Sequence, residues 1–278
     1  MTYKERLRFI MNSEKIKQNI QQTFDKVAEK YDSNQFFHIS AKQLVSLIPL
    51  TGKLKILDLS TGTGIVALEL TKKYSSADIT AIDLSQKMLN QAQLKMQEAG
   101  FNQIEFSQQD AEKLPYQNHT FDLITCGYGL FFYPNMEQAF VSITQKIKPN
   151  GIMAFSSFTE QAFSPYAELF LQRIEKDYHI ETPLLSKDRL KTKQNIQALA
   201  DQVKHKKTEI VVYPIRYSLT LDEWWALLNN AGYKGLLDQL NETQFKQFKQ
   251  DHLNEIDQIT QQGRLEYNAD SYLTLIYF

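Results

Sequence analysis

Asp58, Ser60, Thr61, Gly62, Gly64 and Asp83 are the residues whose types and spacing first suggest chemistry. They fall in KILDLSTGTGIVALEL at 55–70 and at the end of DITAID at 78–83. An apolar run broken by two glycines, then resumed at helical spacing by Ile65, Val66, Leu68 and Leu70, reads as strand, tight turn and helix. Such a turn brings backbone N–H groups to a ligand. A carboxylate about 20 residues further on is placed to accept hydrogen bonds from two ribose hydroxyls.

Two ligands fit that outline. The spacing Gly62-x-Gly64-x-x-Ala67 matches a dinucleotide fingerprint, but a pyrophosphate needs unopposed N–H donors and positive potential at the helix start, and Asp58 opposes both. S-adenosylmethionine carries an ammonium and a sulfonium and no phosphate, so Asp58 assists it. Asp83 suits either ligand. A third carboxylate, Asp110 in Gln109-Asp110-Ala111, is placed to accept from an adenine amino group.

The elements that must position these residues alternate. Strands at 55–59, 78–83, 104–109, 121–126 and 152–158 are separated by helical patterns, which predicts an α/β fold with five parallel strands. Ser85 caps a helix bearing Met88, Leu89, Ala92 and Met96 that stops at Gly100. Another helix carries Met136, Ala139, Phe140, Ile143 and Ile147. Runs at 233–240 and 271–278 are expected to add an antiparallel pair, giving seven strands. A run at 210–219 holds Pro214 and is confined to an edge or bulge. Thr220-x-x-Glu223 is a capping box that starts the helix of Trp224 and Trp225. The chain thus divides into an N-terminal helical cap at 1–40, a ligand-binding core at 41–159, a helical lid insertion at 160–208 and a C-terminal part at 209–278 that completes the sheet.

Composition narrows the partners. Thirty-one basic and 32 acidic residues leave a net charge of −1, which offers no long-range attraction to nucleic acid or an anionic membrane, so a small-molecule substrate is expected. No run reaches the ~18 apolar residues of a membrane span. The one cysteine, Cys126, and the polar stretch MTYKERLRFIMNSEK point to a cytoplasmic protein. The five histidines lack metal-ligand spacing, so no metal is expected.

Residues 55–158 resemble a class I S-adenosylmethionine-dependent methyltransferase of the type 11 group, through LDLSTGTG, IDLSQKML, QQDAEKLPYQNHTFD, FDLITCGYGLFFYPN and IKPNGIMAF in order. FDKVAEKYD at 24–32 is similar to the segment leading into this core in ubiquinone/menaquinone-biosynthesis methyltransferases. The resemblance implies that Asp58, Ser60, Thr61, Gly62 and Gly64 line the methionine end and that Asp83 takes the ribose. Leu84 and Met88 would flank the adenine, Asp110 and Ala111 would bind its edge, and Cys126 would lie beside the methionine. Ser60 departs from the usual first glycine, which calls for a backbone without positive φ there. Asn150 replaces a glycine before the fifth strand. Phe131-Phe132 stand where the quinone-pathway enzymes carry Arg-Asn, so their substrate is not carried over.

The acceptor side is read from aromatic residues. Tyr31, Tyr128, Phe131, Phe132, Trp224 and Trp225 are candidates for a pocket, and His38 and Tyr128 for a general base. Each has a structural alternative: the aromatic rings as core, Asp58 bonding its own turn, Asp83 as a helix cap, Asp110 as an Asx-turn, and Cys126 as a small buried side chain. The expected activity is methyl transfer to a small apolar or aromatic acceptor. A nicotinamide oxidoreductase and a non-catalytic cofactor-binding module are the rivals.

Overall fold

In the computed structural model residues 3–181, 186–260 and 262–278 are described, with side chains from residue 12 onward except those of 186 and 187. Two helices, α1 (Tyr3–Val27) and α2 (Gln35–Leu47), precede the core. The alternation then runs β1 (Lys55–Leu59), α3 (Ile65–Lys73), β2 (Asp78–Asp83), α4 (Gln86–Glu98), β3 (Ile104–Gln108), β4 (Phe121–Gly127), α5 (Met136–Thr144) and β5 (Ile147–Phe158). After it come α6 (Tyr166–Tyr178), α7 (Lys193–Ala200), β6 (Lys207–Tyr213), β7 (Arg216–Thr220), α8 (Leu221–Asn229) and α9 (Lys234–Leu237). The chain closes with α10 (Glu242–Ile259), β8 (Arg264–Asn268) and β9 (Ser271–Tyr277).

The main sheet has seven strands in the order β3-β2-β1-β4-β5-β9-β6. Its first five are parallel, and β9 runs antiparallel to both β5 and β6. Chain order reverses between β1 and β4, whose registered pairs include Asp58 with Thr125 and Leu59 with Cys126. The loops after these two strands leave in opposite directions. A crevice therefore opens at their carboxyl ends, where open α/β sheets bind ligands.

The expected strand at 233–240 is not one. Lys234–Leu237 form a short helix, because Leu236, Leu237 and Leu240 present one apolar side at helical rather than alternating spacing. The partner of β9 is β6. The run at 210–219 is split at Pro214, which has no N–H for a ladder. The ends are held by Asp270, which accepts from the Ile215 N–H at 2.9 Å and pairs with Arg216. β7 then joins a separate two-stranded sheet with β8, whose buried Leu265 and Tyr267 alternate with exposed Arg264 and Glu266. Ile147, expected at a helix end, opens β5 opposite Phe121.

Both capping predictions hold: Ser85 Oγ accepts from the Met88 N–H, and Thr220 forms a capping box with Glu223. The segment at 160–208 supplies α6, a 3-10 turn at Ser186–Leu190 and α7, which bury Phe170, Ile174, Ile196 and Leu199. Among the described residues no helix is long and apolar enough to cross a membrane.

Candidate functional site

The crevice at the switch point holds two adjoining clefts, of about 760 Å³ counting its open mouth and about 420 Å³. Tyr31, Ser60, Gly62, Gly127 and Tyr128 border both. The larger cleft runs over the carboxyl ends of β2 and β3, past Asp83, Leu84, Met88, Asp110 and Ala111, and is roofed by Ile20, Gln21 and Phe24 of α1. The smaller lies between the glycine loop and α2, against Asp58, Thr61, Thr63, Phe37 and Ser156.

The glycine loop turns its N–H groups inward. Thr61 N donates to Ile82 O at 2.9 Å, Gly62 N to Asp83 Oδ2 at 2.9 Å, and Gly64 N to Thr61 O at 2.9 Å. Gly62 and Gly64 take φ of +56° and +78°, and a Cβ on Gly64 would stand 3.0 Å from the Ala92 Cβ, so the second glycine also lets α4 pack against the loop. Ser60 has φ of +48°, which corrects the expectation of an ordinary backbone there. Its Oγ meets the Tyr133 hydroxyl at 2.9 Å, which ties the loop after β1 to the loop after β4.

The three carboxylates do the local work left open by the sequence and still border the clefts. Asp58 accepts from Thr61 Oγ1 and Thr125 Oγ1, both at 2.6 Å. Asp83 holds the N–H groups of Gly62 and Ser85. Burial pushes both carboxyls up to about 6. Asp110 accepts from the Glu112 N–H at 2.9 Å, an Asx-turn, and pairs with Lys17 of α1 at 2.8 Å.

The aromatic candidates separate. Tyr31, Tyr128 and Phe132 border the larger cleft, with Tyr31 stacked on Phe37 at 4.5 Å and Phe132 edge-on to Phe24 at 5.4 Å. Phe131 is buried against Phe158 and borders neither cleft. Trp224 and Trp225 are buried away from both, the former donating from Nε1 to His252 Nε2 at 3.0 Å. His38 is exposed and its Nε2 lies 3.1 Å from the carbonyl of Asp32. The Tyr128 hydroxyl meets Ser271 Oγ at 2.6 Å, and burial pushes it up to about 12, so it stays protonated at neutral pH. Cys126 is buried, also pushed up to about 12 by burial, and borders neither cleft.

A sequence profile of the ubiE/COQ5 methyltransferase family matches residues 11–177, more than half of the chain. This chain belongs to the ubiE/COQ5 methyltransferase family. It is 30% identical over 159 residues to the ubiquinone/menaquinone biosynthesis C-methyltransferase UbiE of Coxiella burnetii, covering 54% of this chain and 64% of that protein. It is 33% identical over 143 residues to the demethylmenaquinone methyltransferase of Thermotoga maritima, covering 49% and 60%. The chain thus spans less than two thirds of the length of these curated relatives. The solved structure of the Bacillus halodurans protein BH2331 superposes with a TM-score of 0.59 at 18% identity, over 85% of this chain and 97% of that one.

Sequence reasoning missed part of this candidate site. Lys17 and Gln21 of α1 were hidden on what reads as the polar face of an amphipathic helix. Tyr133, which bonds Ser60, stood in the aromatic cluster at 128–133 but was not singled out. A better signal was Gly129: a Cβ there would lie 2.6 Å from the Ser60 Cβ, so the two loops touch at a residue that must be small. The roof of the larger cleft comes from α1. No described residue of the 160–208 segment borders either cleft. That segment acts on the site through Arg189, which donates to the Tyr133 carbonyl at 2.6 Å and pairs with Glu137.

Proposed function

We propose that the chain is an S-adenosylmethionine-dependent methyltransferase acting on a small apolar or aromatic acceptor. The observation that carries this reading is the direction of the loop's hydrogen bonds. Its N–H groups at Thr61, Gly62 and Gly64 are spent on protein oxygens, while Asp58 and Asp83 border the clefts. That arrangement repels a pyrophosphate and suits a ligand with hydroxyls and an ammonium. It therefore disfavours the nicotinamide oxidoreductase, and membership of a methyltransferase family supports the same choice.

In this reading Asp83 accepts from the ribose, Leu84 and Met88 hold the adenine faces, and Asp110 with Ala111 meets its edge. Asp58, Ser60, Thr61 and Gly62 surround the methionine end, with Gly64 and Cys126 shaping the loop and the strand end behind it. The bound donor supplies an electrophilic methyl group. The protein's task is to hold an acceptor atom about 3 Å from that carbon and keep water out. Tyr31 and Tyr128 form a wall where the two clefts meet, continued by Phe132 in the larger one, and the protonated Tyr128 hydroxyl serves as a hydrogen-bonding group rather than a base. A flat ring is the acceptor shape such walls favour. Similarity to a ubiquinone/menaquinone biosynthesis C-methyltransferase and a demethylmenaquinone methyltransferase supports an aromatic acceptor, although Phe132 in the cleft wall argues for a different ring pattern.

The test is transfer of label from methyl-labelled S-adenosylmethionine to a panel of hydroquinones, phenols and aromatic amines. Transfer to at least one acceptor, lost in Asp83→Ala, is expected. Cofactor binding without transfer to any acceptor would favour the non-catalytic module.

A further inference from the structure

Lys17 stands out among the cleft-bordering residues because it is a lysine with 7% exposure, projecting from α1 between two carboxylates of the loop after β3. Its Nζ lies 2.8 Å from Asp110 Oδ2 and 2.5 Å from Glu112 Oε2. Burial opposes its charge, but the bonds to Asp110 and Glu112 outweigh burial and raise its pKa, so the ammonium persists at neutral pH. Glu14 and Lys113 complete the charged group, Lys113 pairing with Glu14 at 2.9 Å. Glu112 also accepts from the Asn135 N–H at 2.7 Å through Oε1, which reaches the foot of the loop that follows β4.

We infer that Lys17 is a positioning residue for the base of the cofactor, aiming Asp110 so that the cleft selects an amino group over a carbonyl at the adenine edge. The inference rests on the proposed methyltransferase reading. A carboxylate offers about four acceptor positions, and here Glu112 N–H and Lys17 fill one on each oxygen, leaving acceptors for an incoming amino group. Without Lys17, Asp110 and Glu112 would be two like charges at close quarters in a partly buried site. Asp110 would then swing away from Glu112, drawn toward Lys113, whose Nζ lies 3.9 Å from the same Oδ2. A displaced Asp110 no longer meets the adenine amino group, and the cleft loses its preference for that group over the carbonyl of hypoxanthine.

The experiment compares S-adenosylhomocysteine with S-inosylhomocysteine by titration calorimetry on wild type, Lys17→Met and Lys17→Arg. Wild type is expected to prefer the adenosyl ligand by about 30-fold or more, in the range of a charged hydrogen bond. Lys17→Arg should retain most of that preference. Lys17→Met should bring it to within about threefold, with Lys17→Gln carrying the same comparison if the methionine variant does not fold. A wild-type preference ratio in a folded Lys17→Met or Lys17→Gln protein, even with weaker binding of both ligands, would reduce Lys17 to a structural ion pair and overturn the inference. Failure of the wild type to bind S-adenosylhomocysteine at all would instead overturn the methyltransferase reading, and the inference with it.

Discussion

Asp83 at the end of β2 and Gly62 in the loop after β1 are joined by a hydrogen bond of 2.9 Å from the glycine N–H to Oδ2. The other oxygen holds the Ser85 N–H at 2.8 Å. One carboxylate therefore fixes the glycine loop and the start of α4 while still bordering the larger cleft. Asp83→Ala should lose binding and stability together, with about 1–3 kcal/mol lost from each as backbone donors and ligand hydroxyls go unmatched. Calorimetry with S-adenosylhomocysteine and urea unfolding of the same protein measure the two losses. Full stability with lost binding would mean that the Gly62 bond is dispensable.

Burial raises Asp58 and Asp83 from an ordinary 3.8 to about 6. Between those values the folded protein holds protons that the unfolded chain has released. These two groups therefore favour the folded state most below about pH 4, and that contribution is lost as pH rises through 6. A ligand ammonium and ribose hydroxyls need ionised acceptors, so affinity should move the other way. S-adenosylhomocysteine is expected to bind about tenfold more tightly at pH 7 than at pH 5 for each coupled carboxylate. Asp58→Asn should flatten part of that slope. A pH-independent affinity in the wild type would remove both carboxylates from the binding equilibrium.

Phe131 and Phe132 are neighbours in sequence with different surroundings. Phe131→Ala should cost about 3–5 kcal/mol of stability, since its ring is 1% exposed in the core. Phe132→Ala, whose half-buried ring borders the larger cleft beside Phe24, should cost less and lower acceptor turnover at unchanged cofactor affinity. Thermal unfolding and acceptor kinetics separate the two; equal destabilisation with full turnover in both variants would make Phe132 core as well.

The segment that roofs the larger cleft is fastened at three places next to the cofactor motifs. Lys17 holds Asp110, Asp25 accepts from Ser85 Oγ, and Asp32 bonds Thr63 Oγ1 and pairs with Lys95. A ligand of the larger cleft must pass Ile20, Gln21 and Phe24. Residues 16–32 should therefore gain hydrogen-exchange protection when S-adenosylhomocysteine binds, while α6 and α7, whose apolar faces are buried, should change little. Equal protection of residues 16–32 with and without ligand would argue that the roof does not open.

The parallel core was legible because β1, β2, β4 and β5 carry mostly apolar runs and β3 alternates Ile104 and Phe106 with polar residues, and because Ser85 and Thr220 cap helices by local bonds that need no tertiary partner. The C-terminal half was less legible. LLDQL at 236–240 has too few residues to separate helix from strand by period, and the Asp270 bonds that switch the chain between two sheets link residues 55 apart. The residues proposed for the cofactor side border the two clefts, Gly64 and Cys126 excepted, and were legible because they sit in contiguous motifs at strand ends. The roof was not legible, since Lys17 and Gln21 meet the cleft only after α1 packs beside α4 and α9, far away in sequence. Trp224 and Trp225 are large aromatic rings in a capped helix, and no local pattern separates a ring packed on His252 and Phe248 from one that faces a ligand.

The most direct test of the central claim is a side-by-side titration of the wild-type protein with S-adenosylmethionine, S-adenosylhomocysteine, NAD and NADP. Sub-millimolar binding of the first two, displaced by one another and weakened in Asp83→Ala, with no detectable binding of either dinucleotide, is the predicted result. Binding of NAD or NADP in the absence of S-adenosylmethionine binding would contradict it.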